Sequence, residues 1–192
     1  MIASTGAFIP YAVSRAAPEL SRCTAVFCSD LAPLLIALDA KIEIYRSAAQ
    51  KQLSLSQFYL DDGINHLKTS PAELLTKVTI PYHPAIRSAH GKIRSRGSVD
   101  FAIANIGMAL SVKGNRCENI RIVVGAIASA PVDASGVAKE LIGEELTGKR
   151  IEEIAEKVSS LVRPVPNMEG AVSYRKKMIG VLVIKTLREV IA

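Results

Sequence analysis

The sequence predicts an α+β fold, in which an antiparallel sheet is covered by helices. Three observations predict it: apolar residues alternate on both sides of a Gly114-Asn115 turn, three helical patterns follow, and a short apolar helix with two strands precedes them. Apolar residues make up 49% of the 192-residue chain and charged residues 22%, which permits a packed core and excludes a disordered chain. With no tryptophan and only 5% aromatic residues, that core must be mainly aliphatic.

The first half of the chain is predicted to contain one buried helix and two strands. Ser29 is a good N-cap, and Asp30 suits the positive end of the short apolar helix that follows it. Residues 41–45 and 78–80 alternate between polar and apolar side chains, as half-buried strands do. Prolines and small residues then indicate a boundary near residues 81–89.

The second half is predicted to form a β-hairpin followed by three helices. Residues 106–112 and 120–126 alternate on either side of the turn and form the two hairpin strands. The first helix covers about residues 134–142, and the second begins at its N-cap Thr147 and carries one apolar face. The third runs over about residues 173–191, so the helices can cover the hairpin.

The positive charge of the chain allows two interpretations. The net charge is +6 and the pI about 9.3, but acids and bases are interleaved along most of the chain, which favours ordinary solvated faces. Basic clusters at residues 87–96 and 175–177 leave a nucleic-acid or anion-binding hypothesis open. Because residues 175–177 begin a predicted helix, where the helix dipole favours acids, they predict an external acidic partner.

The cysteines predict a reducing compartment. Residues 1–22 are irregular and lack a recognisable secretory signal, and no apolar run approaches the ~20 residues of a membrane span. We therefore expect a cytoplasmic protein with no membrane span. Cys23, Cys28 and Cys117 are too few for an iron–sulfur cluster, so buried inert thiols are the favoured interpretation.

The histidines give no sign of a metal centre. His66, His83 and His90 lie in predicted loops, and none has a cysteine or histidine at zinc-ligand spacing. A solvated or simply hydrogen-bonded role is favoured for each, and no metal ligand and no catalytic residue is predicted.

Residues 92–102 are the richest candidate segment. Alternate bases on an extended segment project to one side, which suits a phosphate, an acidic partner or an electron-rich cofactor. An exposed polar edge strand explains the same pattern equally well, because lysines and arginines discourage aggregation.

Five motifs occur in order along the chain: Ser-Asp-Leu-Ala-Pro-Leu-Leu-Ile-Ala-Leu-Asp-Ala (29–40), Glu-Leu-Leu-Thr-Lys-Val-Thr-Ile-Pro (73–81), Lys-Ile-Arg-Ser-Arg-Gly-Ser-Val-Asp-Phe-Ala (92–102), Ile-Val-Val-Gly-Ala-Ile-Ala-Ser-Ala-Pro-Val (122–132) and Tyr-Arg-Lys-Lys-Met (174–178). The series resembles the FAD-binding subunit of the xanthine dehydrogenase family of molybdenum hydroxylases. It is most similar to the β subunit of 4-hydroxybenzoyl-CoA reductase, and the resemblance covers residues 22–191.

The resemblance implies the domain organisation and the partners. Residues 1–83 would be a remnant of the second FAD-binding subdomain, and residues 84–192 a C-terminal α+β domain like that of the CO dehydrogenase flavoprotein. The implied cofactor of this subunit is FAD, which exchanges electrons with iron–sulfur clusters of a small partner subunit. A large partner subunit with the molybdenum cofactor would act on the organic substrate, and no nucleic acid is implied.

Three cofactor-binding residues follow from the resemblance. Asp30 resembles the aspartate that contacts the flavin side of FAD, although helix-terminal stabilisation would also explain it. Leu75 is similar to a leucine beside the isoalloxazine ring, with core packing as the alternative. Lys92 resembles a basic residue near the ring, where positive charge favours the reduced flavin, with a polar edge strand as the alternative.

The sequence also departs from the family pattern. Two glycine-rich stretches that hold the FAD pyrophosphate in the family are not recognisable, and neither is the cysteine-bearing insertion of the 4-hydroxybenzoyl-CoA reductase branch. We therefore expect the chain to require a separate N-terminal FAD-binding polypeptide and not to be a competent oxidoreductase alone. The alternative is a non-catalytic remnant or subunit-docking module without FAD, and a weaker one is a nucleic-acid-binding module using residues 87–96.

Overall fold

The computed structural model describes residues 26–47, 49–97, 100–166 and 171–191. The elements within these residues are α1 (Leu31–Ala37), β1 (Lys41–Arg46), β2 (Ala49–Ser54), β3 (Leu74–Thr79), β4 (Arg87–Ile93), β5 (Ala104–Lys113), β6 (Arg116–Gly125), β7 (Val132–Asp133), α2 (Ser135–Ala138), α3 (Gly148–Leu161) and α4 (Val172–Ile191). The α+β fold class is confirmed. The expectations for residues 1–22 and for Cys23 lie outside the described residues.

The strands form two antiparallel sheets. The smaller sheet has the order β2-β1-β3, and the larger has the order β4-β5-β6-β7. β1 is central in the smaller sheet because it pairs with β2 on one side and β3 on the other, and it buries Ile42 and Ile44 on one face. β4 is an edge strand of the larger sheet, and it pairs with β5 from Arg87 opposite Leu110 to Ile93 opposite Ala104.

The larger sheet separates two cores. On one face, alternate residues of β5 and β6, among them Ile106, Met108 and Ile122, pack against α3 and α4. On the other face, Ala109 and Val123 join a second cluster formed by α1 and the smaller sheet. The sheet therefore carries α1 on one side and the C-terminal helices on the other.

The predicted hairpin and the two long helices are confirmed, and the first predicted helix is the short α2 continued by a 3-10 turn at Lys139–Leu141. The hairpin turn has Gly114 at φ +61°, a left-handed conformation that glycine adopts without steric cost. Thr147 caps α3, because its Oγ1 accepts from the main-chain N–H of Arg150 at 3.4 Å. Ser29 caps α1 in a similar way, since its Oγ accepts from Ala32 N at 3.2 Å.

The sequence did not predict β2. Its residues, Ala-Gln-Lys-Gln-Leu-Ser, are almost all exposed, so they show no alternation of polar and apolar side chains. The strand forms because it pairs with β1 along its whole length, from Lys41 opposite Ser54 to Arg46 opposite Ala49.

The prediction of an external acidic partner for the bases at 175–177 is wrong for Arg175. Its side chain is only 1% exposed and donates to the main-chain oxygens of Ile103 at 3.2 Å, Val165 at 2.8 Å and Ala126. Because a guanidinium has five N–H donors in a rigid plane, one side chain can join α4 to three separate loops. Arg175 is therefore a structural residue.

No helix in the described segments combines the length and the apolar character needed to cross a membrane.

Candidate functional site

The candidate site is a polar cluster between the start of α1 and the edge strand β4. Lys92 Nζ on β4 lies 2.6 Å from Oδ2 of Asp30, the residue directly before α1. The same ammonium group donates to the main-chain oxygen of Asp100 at 2.8 Å. The side chains of Lys92 and Asp30 are 18% and 36% exposed, so the ion pair is partly desolvated and still reachable from solvent.

Asn105 on β5 lies beneath this ion pair. It is fully buried, and its Nδ2 donates to the main-chain oxygen of Ser29 at 3.0 Å and to Asp30 Oδ1 at 3.5 Å. Its Oδ1 is buried and has no hydrogen-bond partner within the part of the chain that the structure describes. The amide therefore contacts both the backbone before Asp30 and its carboxylate.

His90 lies two residues before Lys92 on β4 and so points to the same face of the strand. Its Nε2 is buried and, among the described residues, accepts or donates no hydrogen bond. Burial lowers the pKa of His90, the Asp30 carboxylate opposes that change, and the Lys92 ammonium adds to it. The ring therefore favours its neutral form.

Exposed apolar side chains stand next to the ion pair in the chain. Leu31, directly after Asp30, is 48% exposed, and Phe101, directly after Asp100, is 57% exposed. These two side chains are therefore apolar surface that follows each oxygen-bearing partner of Lys92 in the sequence.

Gly107 explains why α1 can approach the sheet so closely. A Cβ atom at Gly107 would lie 2.2 Å from the main-chain nitrogen of Leu34 and 2.3 Å from the carbonyl carbon of Pro33. The backbone of α1 thus rests directly on β5, which holds Asp30 at the level of β4.

The structure places Leu75 on a different sheet from Lys92. Leu75 lies on β3 of the smaller sheet, opposite Ile44, and packs half-buried against the core that contains α1. Of the three residues named from the sequence, Asp30 and Lys92 are therefore in direct contact and Leu75 is on a different sheet.

The predicted extended segment 92–102 is only partly a strand. β4 ends at Ile93, and the bases that follow lie in a bend, where Arg96 Nε is 3.8 Å from Asp100 Oδ2. The bases of this segment therefore do not project from one strand face. Among these bases, only Lys92 contacts Asp30.

Sequence reasoning missed Asn105 and placed His90 wrongly in a loop. The signal for Asn105 was available: it is the one polar residue in the apolar run Ala-Ile-Ala-Asn-Ile-Gly-Met-Ala-Leu. His90 gave no such signal, because β4 alternates poorly and forms by pairing with β5.

A cleft of about 140 Å³, lined by both polar and apolar side chains, lies at the other end of α1. Its charged residues pair with each other, since Arg121 Nη1 is 3.0 Å from Asp39 Oδ1. In the described ranges, no group of three His, Cys, Asp or Glu side chains could hold a metal ion.

Two family models match this chain. Residues 5–83 match the FAD binding domain in molybdopterin dehydrogenase, and residues 89–190 match the CO dehydrogenase flavoprotein C-terminal domain. Asp30 falls in the first matched segment and Lys92 in the second.

Curated relatives are 21–30% identical to this chain over the aligned residues. The glyceraldehyde dehydrogenase medium chain of Sulfolobus acidocaldarius is 30% identical over 84% of this chain and 57% of its own length. The carbon monoxide dehydrogenase medium chain of Afipia carboxidovorans is 26% identical over 80% of this chain and 53% of its own. The chain thus spans about half the length of these relatives.

Solved structures have the same fold. A carbon monoxide dehydrogenase from Hydrogenophaga pseudoflava superposes with a TM-score of 0.77 at 20% identity, over 84% of this chain and 56% of the other. The Cu,Mo-CO dehydrogenase in its cyanide-inactivated form gives a TM-score of 0.76 at 25% identity, with the same coverage.

Proposed function

Since the chain belongs to the family of FAD-binding medium subunits of CO dehydrogenase and xanthine oxidase, we propose that it forms one wall of a flavin site. The assembled protein would be a molybdenum hydroxylase-type dehydrogenase. In it, Asp30 and Lys92 would face the polar edge of the isoalloxazine ring, and Leu75 would pack beside the ring. FAD, when bound, supplies the redox chemistry, and the protein binds, orients and tunes it.

The observation that carries this proposal is the 2.6 Å contact between Asp30 and Lys92. It joins the segment matched by the FAD-binding model to the segment matched by the C-terminal model. These residues are 62 positions apart, so the contact depends on the packing of α1 on the larger sheet. A partly buried pair that remains accessible costs desolvation energy, which a ligand-binding role would justify.

The residues present fit part of FAD. The ammonium of Lys92 has three N–H donors, and the two bonds to Asp30 and Asp100 leave one for a ligand. The buried, unsatisfied Oδ1 of Asn105 and Nε2 of His90 mark the same region as polar below its surface. Within the described residues no glycine-rich loop offers a row of backbone amides for the pyrophosphate, so these residues fit the ring rather than the phosphates.

The partners and location follow from the same proposal. A small iron–sulfur subunit would exchange electrons with the flavin, and a large subunit with the molybdenum cofactor would act on the substrate in the cytoplasm. Residues 1–83 would contribute to the flavin site, and residues 84–192 would contact the partners.

The more specific likeness to 4-hydroxybenzoyl-CoA reductase stays a prediction.

The docking-module alternative has less support than the flavin role. The basic start of α4 predicted an external acidic partner, but Arg175 there is buried and donates to main-chain oxygens of the same chain. The matched FAD-binding segment, residues 5–83, favours a role at the cofactor.

The test is to measure FAD in two preparations: the chain purified alone, and the chain co-expressed with the polypeptides encoded by adjacent reading frames. We expect FAD to be retained through gel filtration in the assembled protein and weakly or not at all by the chain alone. Absence of FAD from both preparations would refute the proposal.

Charge variants then test the individual residues in the assembled protein. Lys92→Met leaves the Asp30 carboxylate unpaired near the ring and should lower the flavin reduction potential, whereas Asp30→Asn should raise it. The matched control is Lys77→Met, which breaks the exposed 3.2 Å pair with Glu43 on the smaller sheet and should leave the potential unchanged. Equal flavin reduction potentials in all three variants would refute an electrostatic role for Asp30 and Lys92.

Leu75 is tested by FAD retention. Leu75→Ala should weaken retention, while Val78→Ala, which trims another half-buried side chain of β3 against the same core, should not. Equal retention by the two variants would make Leu75 a packing residue only.

A further inference from the structure

We propose that Asn105 is a positioning residue that holds Asp30 within reach of Lys92. Its consequence for the flavin rests on the function proposed above, but the positioning itself is a property of this chain. The proposal depends on three features of Asn105: its place in the sheet, its hydrogen bonds and the space provided by a glycine.

Asn105 occupies the middle of a row across three strands. In the larger sheet it pairs with Lys92 on β4 and with Gly125 on β6. Directly paired residues of neighbouring antiparallel strands point to the same face, which here is the face that carries α1. Lys92 and Asn105 therefore approach Asp30 from adjacent strands.

The hydrogen bonds of Asn105 act on the backbone as well as on the carboxylate. Nδ2 donates to the main-chain oxygen of Ser29 at 3.0 Å, and this carbonyl belongs to the peptide group that leads into Asp30. The second bond, to Asp30 Oδ1, is longer at 3.5 Å. Lys92 takes the other carboxylate oxygen, Oδ2, at 2.6 Å. Asn105 and Lys92 thus each bind a different oxygen of the Asp30 carboxylate, which restricts the rotation of that carboxylate.

Gly125 provides the space that Asn105 needs. A Cβ atom at Gly125 would lie 2.2 Å from Asn105 Oδ1 and 2.7 Å from Cγ of Pro33 in α1. Any side chain there would displace the amide, the helix or both. The absence of a side chain at position 125 is therefore part of the arrangement that aims the amide at Asp30.

An amide suits this role because it donates hydrogen bonds without carrying charge. A second cation at position 105 would compete with Lys92 for the carboxylate, and a carboxylate would repel it. An apolar residue would fill the space but leave the Ser29 carbonyl without this donor. Asn105 can therefore orient Asp30 while the charge balance stays with Lys92.

The experiment measures how fast the Lys92 ammonium protons exchange with water, by NMR on the purified chain. The bond to Asp30 should slow that exchange, and Asn105→Leu should accelerate it by roughly tenfold, the value of one hydrogen bond to a charged group. The matched control is Thr186→Val, which removes a different buried polar group without a partner in the described residues, next to Gly91 on the opposite face of the sheet. It should leave the exchange at Lys92 unchanged.

A double-mutant cycle separates positioning from general loosening. If Asn105 acts through Asp30, adding Asn105→Leu to Asp30→Asn should produce no further acceleration. If Asn105→Leu accelerates exchange equally in the unmodified chain and in Asp30→Asn, its role is merely structural and the proposal is overturned. Unchanged exchange in Asn105→Leu alone would also overturn it. If Asn105→Leu does not fold, Asn105→Ala makes the same test, because it removes the amide donor without adding bulk at position 105.

The flavin consequence is measured separately, as the reduction potential of FAD in the assembled protein. Asn105→Leu should shift this potential in the same direction as Asp30→Asn. Accelerated exchange with no shift in potential would retain Asn105 as a positioning residue and refute the flavin role of the pair.

Discussion

Replacing Gly107 by alanine should disturb the core and the candidate site together. The added Cβ would lie 2.2 Å from the main-chain nitrogen of Leu34, whereas ordinary contacts between such atoms begin near ~3.5 Å. The contacted atoms are backbone, so no side-chain rotation can relieve the overlap. α1 must move away from β5 by about 1 Å, and Asp30 at its start would move with it.

The expected cost is that of an overpacked core, about 3 kcal/mol of unfolding free energy, near the upper end of the usual range. For a chain of 192 residues this corresponds to a fall in Tm of roughly 6–12 °C. Urea unfolding followed by circular dichroism measures the free energy, and a thermal scan measures Tm. Movement of Asp30 would also speed the exchange of the Lys92 ammonium protons in the same variant.

Gly136→Ala is the matched control. No atom lies within 4 Å of a Cβ built at Gly136, and the residue is in the short helix α2. Alanine there should leave stability unchanged or raise it by up to ~1 kcal/mol. The close packing of α1 on Gly107 would be refuted if Gly107→Ala unfolded within about 0.5 kcal/mol of the unmodified chain.

Three further predictions concern buried polar groups. Arg175→Met should lower the unfolding free energy by about 3 kcal/mol or more, because buried main-chain oxygens lose their donor. The control Lys177→Met changes an exposed side chain of the same helix and should have little effect in the same urea titration. Burial lowers the pKa of His90 from about 6.5, so the unfolded chain takes up this proton first as the pH falls. Neutral His90 therefore favours the folded chain above that pH, and this contribution is lost as the pH falls below it. His90→Gln should reduce the fall in urea midpoint between pH ~7.5 and ~5.5. An identical fall in the variant and the unmodified chain would contradict this. Burial also raises the pKa of the Cys117 thiol to about 11, so mass spectrometry should find alkylation at Cys117 far slower in the folded chain than in denaturant. Equal rates would show that the thiol is accessible.

The sequence by itself determined the elements whose signal is local. The hairpin of β5 and β6 was predictable because Gly114 and Asn115 separate two alternating runs, and the long helices because apolar side chains recur on one face. The five ordered motifs indicated the family before any contact was known. Asp30 and Lys92 were named only as separate members of those motifs.

Only the tertiary structure decided what depends on contacts between distant residues. β2 is a strand because it pairs with β1, and Arg175 is buried because three loops present carbonyl groups to it. Asp30 and Lys92 meet across 62 positions because Gly107 lets α1 rest on β5. Periodicity records which face of an element is buried, but it carries no information on which distant polar group will lie opposite. The ion pair at the candidate site is therefore a property of the folded chain.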